Sequence, residues 1–131
     1  LPGLRDKYGV DIPAANFVPI SDGGGPATVA ALVSGEITAA NLFTTTPAIV
    51  ENDLVALADP DNNFPAQNVV PVYNSSKASD KLTAVLNAVS EKLTTVELLA
   101  LNQEVSGENK TEPAAAASAW VAEQGLDKPV Q

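Results

Sequence analysis

The densest chemistry in this 131-residue chain lies in one segment, Asn41-Leu42-Phe43-Thr44-Thr45-Thr46. An apolar run that ends in an aromatic and three hydroxyls, just before a helix start, sits where open α/β sheets bind their ligands. Hydroxyls and N–H groups there could hold a carboxylate or a hydroxyl, and Phe43 could wall a cation by cation–π attraction. The pattern serves a second reading equally well, in which Phe43 is core and the threonines cap a helix. Gln67 and Asn68 follow in the proline-bounded loop Phe64-Pro65-Ala66-Gln67-Asn68. They either reach into a cleft or satisfy their own loop backbone.

Three further features have plainer readings. Gly23-Gly24-Gly25 precedes a helix N-terminus, where backbone N–H groups could cradle an anion. No Lys follows and the spacing fits neither nucleotide-loop pattern, so a flexible connection is the simpler assignment. Asp59 to Asp61 lacks the spaced ligand series of a calcium loop and reads as a turn. Trp120 lies on an alanine-rich stretch and reads as a packing anchor. No pattern assigns Tyr8 or Tyr73 a role.

Composition removes whole classes of chemistry. His, Cys and Met are all absent. Without His or Cys there is no thiolate nucleophile, no imidazole base and no ordinary zinc site. No catalytic residue, metal ligand or cofactor is therefore expected. The net charge of -9, from 16 acidic and 7 basic residues, argues against nucleic acid or an anionic membrane as partner, because both need clustered Lys and Arg. Hydrophobic residues at 45% and charged residues at 18% describe a globular chain with one core. No run reaches the roughly 20 apolar residues of a membrane span. The abrupt opening at Leu1 without an initiator Met reads as a cut piece of a longer protein.

The elements that must position these residues follow from periodicity and punctuation. Leu4 to Tyr8 closes a helix at Gly9, and Pro26 opens another that Gly35 ends. Strand signals fall on Asn16–Ile20, Ile37–Phe43, Leu54–Leu57 and Val69–Tyr73, with a short helix expected over Ala48 to Glu51. Strands separated by helices predict an α/β fold with a mainly parallel sheet. From Ser75 the pattern is helical. Leu82, Val85, Leu86, Val89 and Leu93 make one apolar stripe, Thr94-Thr95-Val96-Glu97 a capping box for a helix running to Gly107. Thr111 and Pro113 open a last helix that stops at Gly125. The one composition break lies near Tyr73 to Ser76.

Read in order, several stretches resemble the glycine betaine/carnitine/choline family of ABC-transporter substrate-binding proteins. They are Ala30 to Ile37, Leu42 to Thr45, Leu54 to Pro60, Asn62 to Pro65, Val69 to Val72, Leu93 to Thr95 and Ala119 to Val121. The resemblance implies a type II periplasmic-binding-protein fold of two α/β lobes hinged about a cleft. Residues 1–72 would form part of the second lobe, and residues 73–131 the hinge crossing and C-terminal helices returning to the first. It implies an extracytoplasmic protein, periplasmic or lipid-anchored at the outer face of the membrane, that hands a small zwitterionic or cationic solute to ABC permease subunits. Asn41, Phe43, Thr44, Thr45, Thr46 and Gln67 would then contact the ligand. Phe43 stands where the family usually has Tyr, Gln67 where another aromatic is common, and Thr46 where Asp often follows the threonine pair. Those departures point toward a more polar, hydroxylated or less methylated solute. A missing lobe would also expose apolar surface, from which self-association is expected. Two other classes remain: an effector-sensing module fused to a regulator or permease, and an enzyme on the same two-lobed scaffold.

Overall fold

Glycine, proline and hydroxyl punctuation sets the helix boundaries. The structure, a computed structural model, describes residues 2–106 and 110–128. Helix α1 spans Pro2–Tyr8, α2 Pro26–Val33, α3 Ala48–Glu51, α4 Asp80–Lys92, α5 Thr95–Ser106 and α6 Pro113–Glu123. Short 3-10 turns occupy Ala14–Asn16 and Ser75–Lys77. Helix α1 ends because Gly9 takes a left-handed φ of 66°, which lets Gly9 N–H reach the Arg5 carbonyl (3.0 Å) and Val10 N–H the Leu4 carbonyl (3.1 Å). Pro26 opens α2 at a position whose N–H would be unpaired anyway. Ser79 Oγ accepts from Leu82 N–H at 3.2 Å to start α4, and Thr94 Oγ1 accepts from Glu97 N–H at 3.3 Å to start α5. The expected stop of α5 at Gly107 lies outside the described residues.

The α/β expectation is overturned. Among the described residues there is no strand and hence no parallel sheet; all regular structure is helical. Asn16 belongs to a 3-10 turn, and Ile37–Phe43, Leu54–Leu57 and Val69–Tyr73 run without ladder partners. A helix closes its hydrogen bonds within four residues, so the local sequence suffices to form it. A strand exists only when a second segment meets its N–H and C=O groups. Alternation and β-branching describe a segment suited to pairing, not the neighbour that would pair with it. Val55 and Leu57 are each 83% exposed, and Val72 is 93% exposed. Pro19 and Pro71 further remove donors that a ladder would use.

The chain divides into two units, the described residues of 1–44 with 48–67, and those of 45–47 with 68–131. In the first, α2 carries the buried positions Thr28 and Ala31. In the second, α5 packs on α6, which buries Ala116 and Trp120. No helix is long and apolar enough to cross a membrane among the described residues.

Candidate functional site

The glycine turn before α2 does receive an anion, and the anion comes from the chain itself. Asp22 Oδ2 accepts from Thr28 N–H at 3.0 Å, and Asp22 Oδ1 accepts from Thr28 Oγ1 at 2.5 Å. The Thr28 hydroxyl and N–H, with the Gly25 and Ala27 N–H groups behind them, hold the Asp22 carboxyl at about 2, well below its ordinary 3.8. These are the orphan donors of a helix N-terminus, satisfied by a carboxylate six residues upstream of Thr28. The turn is therefore a built-in cap rather than a cradle for an external phosphate. Gly24 also has a positional reason to be glycine. Its φ is 84°, and a Cβ there would lie 2.9 Å from the Asn41 carbonyl oxygen. The bare backbone lets the chain at Asn41 and Leu42 pass against the turn.

That passage sets the start of the hydroxyl-rich segment. Asn41 and Thr44 are exposed, and Phe43 is 61% exposed, so Phe43 is not a core residue. Thr44 and Thr45 turn the chain toward α3, with Thr45 and Thr46 half-buried. The Thr45 carbonyl accepts from Asn102 Nδ2 of α5 at 2.9 Å. Gln67 is exposed. Asn41, Phe43, Thr44 and Gln67 fall in the first unit, Thr45 and Thr46 in the second. Asn102 had no signal in the sequence, being one of several polar residues on α5.

Within the first unit the loop that leads to Gln67 is held by a network around Asp59. Tyr8 Oη donates to Asp59 Oδ1, and Asp59 also accepts from Asn63 N–H (2.9 Å) and Phe64 N–H (2.8 Å). Tyr8 Oη in turn accepts from Asp61 N–H at 3.0 Å. Lys7 Nζ donates to the Asp61 and Asn62 carbonyls, both at 2.7 Å. The Tyr8 hydroxyl and the two loop N–H groups draw the Asp59 carboxyl below its ordinary range. Desolvation, then the adjacent carboxylate, pushes the Tyr8 hydroxyl up. The Asp59–Asn63 turn was legible from its residue types, but Tyr8 lies 51 positions away and nothing local connects the two.

The second unit has its own polar pin and its own groove. Trp120 Nε1 donates to Glu97 Oε2 at 2.6 Å, so the capping-box glutamate reaches across to α6 instead of back to its own helix start. A groove of about 370 Å³ runs between Val69–Tyr73 and α4, where Thr83, Asn87 and Ser90 face Val69, Val70 and Tyr73. None of the six expected ligand residues lines it. Among the described residues no group of three or more acidic side chains is arranged to hold a metal ion.

Comparison with known families gives one result. The family described as the substrate binding domain of the ABC-type glycine betaine transport system matches residues 1–123. No curated protein and no solved structure matches the chain.

Proposed function

This chain belongs to the family of substrate-binding domains of ABC-type glycine betaine transport systems, and on that premise we propose that it captures a small zwitterionic or cationic solute for delivery to a permease. The observation that carries the reading is the extent of the family match, residues 1–123 of 131. The family is one of solute-binding domains that work outside the cytoplasm, and its members bind rather than transform what they carry. A place in the periplasm or on a lipid anchor at the outer face of the membrane is part of the proposal.

Phe43 is proposed to pack on the ligand's cationic end, which its exposure permits. Asn41, Thr44, Thr45 and Thr46 are proposed to hydrogen-bond its polar end, and Gln67 to complete the wall. Residues 1–72 are assigned to one lobe of a larger two-lobed protein and residues 73–131 to the crossing and return. Support for that assignment comes from the exposed apolar side chains of Val55 and Leu57 in one unit and Val69, Val70 and Val72 in the other. Side chains of this kind ordinarily have a partner surface.

Calorimetry of the full-length protein with glycine betaine and with less methylated or hydroxylated amines tests the reading. Saturable heat is expected with at least one of them. Phe43→Ala should weaken that binding by about 1–2 kcal/mol if a desolvated cation stacks there, and Gln67→Ala should weaken it by less. Turnover of any of these solutes by the wild-type protein would replace the binding role with an enzymatic one, and wild-type protein that gives no heat with any of them would overturn it.

A further inference from the structure

The Tyr8–Asp59 network does more than close a turn, because that turn runs directly into the loop carrying Gln67. Asp59 accepts the N–H groups of Asn63 and Phe64, so its carboxylate fixes the backbone up to the first residue of Phe64-Pro65-Ala66-Gln67. Pro65 then locks its own φ and restricts Phe64 before it. The direction in which the chain leaves toward Gln67 is therefore set at Asp59 and carried through two stiff residues. Asp59 is itself held from α1. Tyr8 donates to it and accepts from Asp61 N–H, while Lys7 binds the Asp61 and Asn62 carbonyls. Both ends of the turn, its N–H groups and its carbonyls, are thus gripped by two adjacent side chains of one helix. Gly3 brings α1 close against the same turn, since a Cβ there would overlap Asn63 Oδ1.

We propose that Tyr8, with Lys7 and Asp59, is a positioning group that sets the Phe64–Gln67 segment and thereby the affinity of the solute site to which Gln67 is assigned. This role rests on the solute-binding function proposed for the chain. It adds that α1, to which no ligand contact is assigned, tunes that contact through one phenol hydroxyl bound to Asp59, 51 residues along the chain.

The test is a double-mutant cycle on the full-length protein with glycine betaine as the probe, paired with amide hydrogen exchange. Tyr8→Phe removes only the hydroxyl. Exchange at Asn63 and Phe64 should accelerate by roughly tenfold or more, since their acceptor loses its anchor. The betaine Kd should rise by about three- to tenfold, and Tyr8→Phe added to Gln67→Ala should produce no further rise. Asp59→Asn, which keeps the side-chain shape, should reproduce both effects if Tyr8→Phe melts too low to measure. Unchanged exchange overturns the clamp. Faster exchange with unchanged Kd, or an effect that simply adds to that of Gln67→Ala, overturns the positioning role. Wild-type protein without betaine affinity removes the functional reading and this role with it, while the exchange result still decides whether α1 holds the turn.

Discussion

Among the described residues, Asp22 and Asp59 are the two carboxylates that the fold draws below their ordinary range, and both accept from hydroxyls and backbone N–H groups of the chain itself. Each accepts from residues downstream of it, Asp22 from Thr28 and Asp59 from Asn63 and Phe64. Both have folded values below their unfolded ones, so each contributes stability that is full above the unfolded carboxyl value of 3.8. For Asp22 that contribution is lost as pH falls through about 2. For Asp59 it is lost at a pH below the ordinary carboxyl range, with Tyr8, Lys7 and Asp61 as its charged or titratable neighbours. An Asp22→Asn variant should therefore be less stable than the wild type at neutral pH, and the difference in urea midpoint should shrink as pH falls below about 4 toward 2. Equal midpoints for the two proteins at pH 7 would show that the carboxylate contributes nothing to α2. In the sequence the glycine turn reads most simply as a flexible connection; that it holds an internal anion was not visible, because an Asp is also an ordinary turn residue.

At the scale of elements, helix ends were readable and strands were not. Gly9, Gly35 and Gly125 follow the helices they were expected to stop, and Pro26 and Pro113 open theirs. These signals act within one or two turns, so tertiary context has little to add. The capping box at Thr94 formed only by half. Glu97 donates its N–H to Thr94 Oγ1, but its carboxylate takes the Trp120 indole instead. That bond, beside the buried Trp120 and Ala116, is a polar link between α5 and α6. Trp120→Phe keeps an aromatic ring but leaves Glu97 without its indole donor. A hydrogen bond to a charged acceptor contributes about 1.5–3 kcal/mol, and partial exposure of Glu97 places the expected loss toward the lower end, about 1–2 kcal/mol. Chemical denaturation followed by far-ultraviolet dichroism measures it; an unchanged midpoint would show that the bond adds nothing beyond packing.

At the scale of the molecule, the acidic balance and the exposed apolar residues pull in opposite directions. A net charge of -9 favours separation of copies. Val55 and Leu57 in the first unit, and Val69, Val70 and Val72 in the second, favour burial against something else. Their segments carry no charge between Leu54 and Ala58 or between Asn68 and Tyr73, so no charge within them opposes burial against a second copy. The isolated 131-residue chain should self-associate, more so as salt screens the charge. Light scattering over a range of concentrations reads this directly, and a constant monomer mass in high salt would count against it.

Family membership was legible in the linear order of short stretches from Ala30 to Val121, because order and spacing survive whatever conformation the segments take. So were helix starts and stops, which depend on bonds spanning six residues or fewer. The sheet was not, since a strand is a relation between distant segments and the sequence names only candidates. The hydroxyl-rich segment belongs to both cases. Asn41, Phe43 and Thr44 to Thr46 were singled out by residue type alone, whereas the exposure of Phe43, the passage of Asn41 over Gly24 and the hold of Asn102 on Thr45 required the folded chain. The grip of Tyr8 on Asp59 was not legible either, a contact between residues 51 apart that only tertiary structure brings within hydrogen-bonding reach.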